Sequence, residues 1–441
     1  MGLVAHKVKN VDIAVIGGGP TGLSACLELA KHPGIKVALF ESESELGGMP
    51  RSCHVFFGMR DMKRIYSGPV YAHKLSSAVR ETGIDIHTNA TVTQIVPDPT
   101  GGDHIVKVVT EDGLIQCECK YVLLATGCFE QSREARRIPG TRPAGIFTTG
   151  SLQQIVNLQK VKPGNKALIL GSEHVSLSAA ITLHRAGTKI AGMISDDPFL
   201  QTYLFAAKGI STVLGFPIYR GATIETIFGK KRVEGVKVML KETRKVFEVE
   251  CDTIVCTGKF RPDASLIYKT GIREDSASMG PEIDINFMTN LQGVFAAGNV
   301  LRGADMHDLC ALEGRIVAKN MLKEMHTIDK KGLNSMYIRI RGTDPIRYVV
   351  PQNLVPERMK GWKTSLWTPG VSMQVHRTLT DVVLEAWSGD TKIWSRKYRR
   401  LIANTRVPLP IERFDWDKVD LSKGITLKAF SHRNVYTQGR I

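Results

Sequence analysis

The sequence predicts an α/β fold in which two parallel-sheet domains are followed by a β-rich carboxyl-terminal domain. Two stretches, beginning near residues 11 and 166, alternate apolar runs with helix-like segments across glycine turns, an order typical of parallel sheets. After about residue 330 the runs become short, rich in β-branched and aromatic residues and separated by turn residues, which predicts antiparallel strands. The length of 441 residues suits about three domains.

The first βαβ unit carries the most specific motif. After the apolar run VDIAVIG, Gly17, Gly19 and Gly22 satisfy GxGxxG at the start of a helix-like stretch. The first glycine permits a tight turn, the second lets backbone approach a pyrophosphate, and the third lets helix pack on strand. Glu41 ends the next apolar run, where a carboxylate can bind ribose hydroxyls. We therefore predict a Rossmann-like dinucleotide-binding unit; a glycine turn in another α/β protein is the alternative.

Three later segments indicate which dinucleotide binds. Gly47-Gly48 and Arg51 follow Glu41 closely, and the chain continues with YVLLATG at 121–127 and GVFAAGN at 293–299. In these segments it resembles the flavoproteins with two dinucleotide-binding domains, the superfamily of the pyridine nucleotide–disulfide oxidoreductases, over about residues 11–325. The resemblance implies FAD as the cofactor. The predicted binding residues are Gly17, Gly19, Pro20, Thr21, Gly22, Glu41, Gly48, Arg51, Val92, Ala125, Thr126, Gly127, Gly298 and Asn299.

Within this set the resemblance implies separate roles. The pyrophosphate is expected on Gly17–Gly22, the adenosine ribose on Glu41 and the ribityl chain on Asn299. The superfamily usually has Asp at the last position; an amide keeps a hydrogen-bond acceptor but loses a negative charge, so we interpret Asn299 as a tolerated variant. A helix beginning after Arg302 is expected to direct its positive end toward the flavin.

Several less common strings narrow the resemblance to FAD-containing subunits of opine oxidase and bacterial hydrogen cyanide synthase, and to FAD subunits encoded beside glycerol-3-phosphate dehydrogenases. They are GGMPRSCHVFFGMRD (47–61), GPVYAHKL (68–75), RRIPGTRPAGIFTTGSLQ (136–153), GSEHVSLSAA (171–180), CTGKFRP (256–262) and AAGNVLRGAD (296–305). The resemblance implies an electron-transferring flavoprotein subunit of a multi-subunit dehydrogenase. Its small-molecule substrate, an amine, amino acid, opine or glycerol 3-phosphate, would be oxidised mainly on a partner subunit.

The second glycine motif, GSEHVS at 171–176, keeps only its first glycine. Glu173 stands where the second glycine would allow a pyrophosphate to approach, and two like unit charges 4 Å apart repel by roughly 4 kcal/mol at an effective dielectric constant near 20. NAD(P)H binding is therefore doubtful. The unit is either a retained scaffold or a site where another ligand, such as an adenine nucleotide, binds differently.

Cysteine spacing bears on activity and compartment. The eight cysteines, at 26, 53, 117, 119, 128, 251, 256 and 310, form no CxxC and no zinc-finger spacing. Disulfide reductases of the superfamily need two cysteines beside the flavin, but only Cys53 follows Gly47-Gly48, so we expect no disulfide reductase activity and no metal site. Thiols within apolar strands, no signal-peptide pattern and no long apolar run predict a cytoplasmic protein.

Candidate catalytic residues are His307, Cys53 and His54, all close in sequence to the flavin segments. The alternative for each is a packing or capping role, because a flavin accepts a hydride without a protein nucleophile.

The carboxyl-terminal part, 331–441, holds 20 basic and nine acidic residues and all five tryptophans. Its densest run, RKYRR at 396–400, fits solvated charges on a strand, an acidic partner subunit, or peripheral association with the inner face of a membrane. No nucleic-acid motif accompanies it, so nucleic acid is not expected.

The predicted domains are a discontinuous FAD domain (1–150 and 280–330), a second nucleotide-binding-like domain (151–279) and a basic, tryptophan-containing β-rich domain (331–441). Two rival functions stay open: a self-sufficient NAD(P)H oxidase or diaphorase, and a non-enzymatic nucleotide-binding scaffold.

Overall fold

A computed structural model of the chain describes residues 7–98, 102–202, 204–326, 337–355 and 369–433. Within these ranges the α-helices are α1 (Pro20–Leu29), α2 (Gly68–Arg80), α3 (Thr149–Gln153), α4 (His174–Arg185), α5 (Leu204–Leu214) and α6 (His307–His326). None of these helices combines the length and the hydropathy needed to cross a bilayer.

The described ranges contain 27 β-strands, which fall into two groups on either side of residue 200. Those before residue 200 are β1 (Lys7–Ile16), β2 (Val37–Phe40), β3 (Phe56–Phe57), β4 (Tyr66–Ser67), β5 (Asp85–His87), β6 (Thr91–Val96), β7 (His104–Thr110), β8 (Gly113–Leu124), β9 (Cys128–Glu130), β10 (Ile146–Thr148), β11 (Lys166–Leu170) and β12 (Lys189–Ser195). Those after it are β13 (Ile218–Arg220), β14 (Ala222–Phe228), β15 (Gly235–Leu240), β16 (Val246–Glu250), β17 (Thr253–Cys256), β18 (Phe260–Pro262), β19 (Val294–Ala296), β20 (Ile338–Gly342), β21 (Ile346–Val350), β22 (Asn353–Leu354), β23 (Ser372–Val375), β24 (Leu379–Ser388), β25 (Thr391–Leu401), β26 (Val407–Pro408) and β27 (Ile425–Arg433).

The first sheet has the strand order β5-β2-β1-β8-β7-β6, and β19 also pairs with β8. Strands β5, β2, β1, β8 and β19 run parallel, whereas β7 and β6 extend the sheet antiparallel. The late strand β19 thus lies in the same sheet as the first strand of the chain. Helix α6 crosses α1 so closely that a Cβ at Gly314 would lie 2.1 Å from the Thr21 carbonyl oxygen. This crossing holds the late segment against the amino-terminal βαβ unit.

The second sheet, β10-β17-β11-β12-β13, is parallel throughout. Strand β11 is followed by α4 and then β12, which is the βαβ order that the sequence predicts. An antiparallel sheet, β14-β15-β16, packs beside it through a shared apolar core that includes Leu168 and Val236.

The carboxyl-terminal part contains two sheets, β22-β20-β27-β24-β25 and β21-β23-β26, around one apolar core that includes Ile340, Leu384 and Leu427. The pairs are antiparallel as predicted, apart from β20 and β27, which run parallel. Trp394 and Trp416 both contact Phe414, while the tryptophans at 362 and 367 lie outside the described residues. The α/β fold class with a β-rich carboxyl-terminal part is confirmed.

Candidate functional site

A cavity of about 360 Å³ lies where the parallel strands of the first sheet end. Its walls include Glu41 and Ala125, which directly follow β2 and β8, and Asn299, three positions after β19; ligands of open α/β sheets bind at these strand ends. The predicted site residues among its lining are Gly17, Gly19, Pro20, Thr21, Glu41, Gly48, Arg51, Val92, Ala125, Thr126, Gly127, Asn299 and His307. The other four predicted residues, Gly22, Gly298, Cys53 and His54, do not line it.

The three motif glycines have different surroundings. A Cβ at Gly17, where φ is +108°, would lie 2.4 Å from the Ala125 carbonyl oxygen, and one at Gly22 would lie 1.9 Å from the Gly17 carbonyl oxygen. A Cβ at Gly19 would have no heavy atom within 4 Å. Gly19 also precedes α1 without a side-chain cap for the first N–H groups of that helix. The first and third glycines therefore shape the turn, and the second leaves space and amide donors for an anion.

Glu41, at the end of β2, holds the glycine loop by hydrogen bonds. Its carboxylate accepts hydrogen bonds from Gly18 N (2.6 Å) and Glu43 N (2.8 Å), and from the Ser42 hydroxyl (3.1 Å). The side chain is buried at the cavity wall. Glu41 thus joins the glycine loop to the end of β2, in addition to the ribose contact predicted for it.

The Gly47-Gly48 turn passes over the glycine loop. Gly48 has a φ of +60°, and a Cβ there would lie 3.0 Å from the Gly19 Cα. Arg51 pairs with Glu43 (2.9 Å) and Glu45 (3.3 Å) through its terminal nitrogens. Its Nε is buried without a hydrogen-bond partner in the part of the chain that the structure describes. The cavity wall therefore holds one unused cationic donor near the loop.

Asn299 lies between β19 and α6. Its Oδ1 accepts hydrogen bonds from Asp305 N (2.9 Å) and from the Cys310 thiol (3.1 Å). The adjacent Gly298 does not face the cavity; its N–H donates to Glu313 Oε2 (2.9 Å), and a Cβ there would meet Thr21 Oγ1. Gly298 therefore serves the turn that presents Asn299.

A buried ionic cluster supports this turn; it consists of Arg302, Asp305, Glu313 and Arg406. Arg302 donates to Asp305 (3.1 Å) and to Glu313. Arg406 Nε lies 3.6 Å from the same Asp305 carboxylate and comes from the carboxyl-terminal part of the chain. Two cations and two anions thus balance in a site where an unpaired charge would be costly. Arg406 was not predictable from the sequence, because nothing local connects it with a segment about 100 residues earlier.

His307 is the first residue of α6 and lines the cavity. Its ring meets the Phe57 ring edge to face at 4.7 Å. Burial lowers its pKa to about 4, although Asp308 and Asp305 oppose that shift. His307 is therefore a neutral imidazole at physiological pH, able to donate or accept a hydrogen bond at the cavity wall.

Cys53 and His54 lie away from the cavity, between the two parallel-sheet regions. Cys53 Sγ is 3.4 Å from the Ser178 hydroxyl and accepts a hydrogen bond from Gln153 Nε2 at 3.6 Å. Burial also lowers the pKa of His54. A short helical turn at 49–52 redirects the chain, so closeness in sequence to Gly48 does not carry these side chains to the cavity.

Two thiols outside the predicted set, Cys128 and Cys310, line the cavity. Burial raises the pKa of Cys128 to about 12 and that of Cys310 well above its usual value. Both are therefore protonated and poorly nucleophilic. The sequence could have indicated both thiols, because Cys128 directly follows the YVLLATG segment at 121–127 and Cys310 lies one helical turn after His307.

The second glycine loop is filled by its own side chain. The Glu173 carboxylate accepts hydrogen bonds from Ser172 N (3.1 Å), Ser176 Oγ (3.0 Å) and Thr257 Oγ1 (3.1 Å). A Cβ at Gly258 would lie 2.4 Å from Glu173 Oε1. Burial raises the pKa of this carboxyl, opposed by its hydrogen bonds. The carboxyl group thus occupies the amino-terminal end of α4, where a pyrophosphate would need to bind.

The end of β12, where a nucleotide ribose would be expected, is also closed. Asp197 is buried there, and its carboxylate accepts hydrogen bonds from Thr378 Oγ1 (2.9 Å) and Phe199 N (2.8 Å). Asn404 Nδ2 donates to Gln201 Oε1 at 3.1 Å. Because Thr378 and Asn404 belong to the carboxyl-terminal part, that part packs over the carboxyl edge of the second sheet.

Comparison with known proteins gives a consistent family. A family model described as pyridine nucleotide-disulphide oxidoreductase matches residues 11–321. The hydrogen cyanide synthase subunit HcnB of Pseudomonas protegens is 32% identical over 191 residues, which is 42% of this chain and only 38% of that relative. HcnB of Pseudomonas aeruginosa is 25% identical over 72% of each chain. An opine oxidase subunit of Agrobacterium tumefaciens is 23% identical over 89% of this chain and 78% of the relative.

Solved structures show the same fold. Thioredoxin reductase of T. acidophilum superimposes with a TM-score of 0.61 at 19% identity, over 72% of this chain and 99% of that one. L-Proline dehydrogenase of P. horikoshii superimposes with a TM-score of 0.53 at 22% identity, over 73% of this chain and 57% of that one.

Proposed function

The chain belongs to the pyridine nucleotide-disulphide oxidoreductase family, and from that premise we propose that it is the electron-transferring FAD subunit of a multi-subunit dehydrogenase. The family supports an oxidoreductase with a flavin cofactor. The proposed substrate class is an amine, amino acid, opine or glycerol 3-phosphate, oxidised mainly on a partner subunit. HcnB and the opine oxidase relative are both named as subunits, which supports a partner for this chain too.

The cavity residues fit FAD. The open side of Gly19, the uncapped start of α1 and the unused Arg51 Nε suit a pyrophosphate. Glu41 would hold the adenosine ribose, and Asn299 would face the ribityl chain. Bound FAD would supply the acceptance and release of electrons. The protein would orient the cofactor, and His307, neutral at the cavity wall, would offer a hydrogen-bonding group beside it.

The observation that carries the proposal is the closed second nucleotide site. Glu173 fills the anion position of the loop, and Asp197 is occupied by Thr378. A pyridine nucleotide would have to displace the hydrogen-bonded Glu173 carboxyl group. It would also have to separate the carboxyl-terminal part from the edge of the second sheet, where Thr378 contacts Asp197. Electrons would therefore enter from a partner subunit rather than from NAD(P)H.

The thiols argue against a disulfide reductase. Cys53 packs against Ser178, outside the cavity, and the cavity thiols Cys128 and Cys310 have raised pKa values through burial. A disulfide exchange relay needs an accessible thiolate and a second nearby thiol. The described residues provide no such pair in the Gly47-Gly48 segment.

The test is anaerobic mixing of the FAD-loaded protein with NADH and, separately, with NADPH. We expect the flavin absorption band to persist for minutes and then to bleach with dithionite, which shows that the flavin can be reduced. Rapid bleaching by either nucleotide would favour the self-sufficient oxidase or diaphorase. A flavin that no candidate substrate reduces, even with co-purified subunits, would favour the scaffold.

A further inference from the structure

The segment from β3 to the start of α2 exposes a cluster of large apolar side chains. We call this cluster the hairpin patch; its members are Phe56 (82% exposed), Met59 (49%), Ile65 (62%) and Val70 (46%). Strands β3 and β4 pair antiparallel with Phe56 opposite Ser67, so side-chain alternation places Ile65 on the Phe56 face. Single exposed apolar residues are ordinary, but a local group of this kind indicates an interaction surface.

The opposite face of the hairpin is firmly attached. Phe57 is buried and stacks on Tyr71, with ring centroids 5.7 Å apart, and the Tyr71 hydroxyl donates to Asp61 at 2.8 Å. Arg60 pairs with Asp308 of α6 at 3.0 Å. The hairpin patch is therefore held in place before any partner binds, which reduces the entropy lost on binding.

The charges around the hairpin patch have one sign. Lys63, Arg64 and Lys74 are exposed, and within the described ranges none of them forms an ion pair with a carboxylate. Residues 54–76 contain a single acidic residue, Asp61, which is buried. An apolar centre with a cationic rim complements a partner surface with an apolar centre and a rim of carboxylates.

We propose that the hairpin patch is the docking surface for the dehydrogenase partner subunit, whose contact face is apolar and rimmed by Asp and Glu. The inference rests on the proposed function. A second copy of this chain fits poorly, because a twofold contact would bring Lys63 and Arg64 against their own copies in a protein with a net charge of +16.

Docking here would bring the partner close to the cofactor. Phe57 lies directly behind Phe56 in the chain and contacts His307, which lines the cavity. The Phe57 and His307 side chains thus connect the hairpin patch to the proposed flavin site, and a short path of this kind suits electron transfer between subunits.

The experiment begins with the tagged chain isolated from its native cells. Any stoichiometric co-purifying subunit is identified by mass spectrometry and produced separately, and its dissociation constant is measured at low and high salt. We expect the double variant Phe56→Ser/Ile65→Ser to bind at least about tenfold more weakly. Lys63→Glu/Arg64→Glu should also bind at least about tenfold more weakly at low salt, with a smaller difference at high salt.

The matched control changes two exposed apolar residues of α5, Phe205→Ser/Val213→Ser, which are 90% and 82% exposed in the wild type. This control should bind as the wild type does. Unchanged binding by both hairpin variants would overturn the inference while leaving the proposed function intact. Sedimentation that shows self-association lost in the hairpin variants would overturn it in favour of a second copy. If no subunit co-purifies with the wild type and none supports flavin reduction, the proposed function fails first.

Discussion

Gly19 and Gly22 belong to one loop but differ in what surrounds them. A Cβ at Gly19 enters open cavity, whereas a Cβ at Gly22 would lie 1.9 Å from the Gly17 carbonyl oxygen. We expect Gly19→Ala to weaken FAD binding at least about tenfold with little effect on apoprotein stability, since the methyl group takes space needed by phosphate. We expect Gly22→Ala to lower the free energy of unfolding by about 2 kcal/mol or more.

Calorimetric titration with FAD and urea denaturation of the apoprotein separate these two effects. Gly209→Ala is the matched control, because a Cβ there also meets nothing within 4 Å but lies on α5, away from the cavity. Wild-type FAD affinity in Gly19→Ala would contradict the proposed pyrophosphate position.

His307 connects the cavity to the pH dependence of stability. Its pKa is lowered from 6.5 to about 4 by burial, so the unfolded chain binds a proton at this residue in that window and the folded chain does not. Stability is therefore expected to fall as pH decreases from about 6.5 to about 4, and to be insensitive to this group above 6.5. His307→Gln should reduce that dependence.

The measurement is the urea midpoint at pH 7 and pH 5 for the wild type and His307→Gln, with exposed His73→Gln as the control. His104 and His174 also have pKa values lowered by burial, so part of the slope should remain. An identical slope in the wild type and His307→Gln would show that the His307 ring is not buried in the folded protein.

At the level of elements, α4 starts with a side chain in place of a ligand. Glu173 caps this helix through Ser176 and also bonds Thr257. We expect Glu173→Ala to lower the free energy of unfolding by about 1 kcal/mol, the usual cost of a lost N-cap. The flavin of this variant should still not be bleached rapidly by NADPH, because Asp197 stays hydrogen-bonded to Thr378. Glu234→Ala, at an exposed loop position, is the control; rapid bleaching in Glu173→Ala alone would mean that this carboxyl is the sole obstacle.

The elements themselves were largely predictable from the sequence. The units β1-α1-β2 and β11-α4-β12 follow from contiguous apolar periodicity and glycine turns, which are local signals. The direction of Cys53 and His54 was not predictable, since it depends on the helical turn at 49–52. The parallel pairing of β20 with β27 was missed for a related reason: strands of distant segments are matched by the shared core and not by their own patterns.

Most of the site was predictable because its residues belong to motifs. The glycine loop, Glu41 and Asn299 all reach the cavity wall. Arg406 and Thr378 act through contacts with segments about 100 and 180 residues away. The sequence around a polar residue does not indicate which distant residue it will contact. The domain boundaries and the individual cofactor contacts stay predictions.

For the whole molecule, the carboxyl-terminal part is coupled to the proposed flavin site through Arg406. Arg406→Gln would leave Asp305 and Glu313 with Arg302 as the remaining cation of the buried ionic cluster. We expect a loss of about 2 kcal/mol or more in the free energy of unfolding, together with weaker FAD retention, because Asp305 N donates to Asn299. Urea denaturation and FAD titration are the measurements.

Arg399→Gln, on the exposed face of β25, is the matched control and should change neither quantity. If Arg406→Gln lowers stability but leaves FAD affinity unchanged, the carboxyl-terminal part supports the fold without affecting the cofactor segment.

Strand β25 has one neighbouring strand, β24, within the described part of the chain, so it lies at the edge of its sheet; its Ile393 carbonyl accepts a hydrogen bond from Asp415 N. Long edge strands can recruit other chains into growing aggregates unless charge prevents it. The exposed Arg396, Lys397, Arg399 and Arg400 repel a second β25 approaching in register. We therefore expect this basic row to keep the protein dispersed: a variant in which these four charges are neutralised should precipitate more readily during synthesis, while the redox chemistry of the dissolved fraction is unchanged.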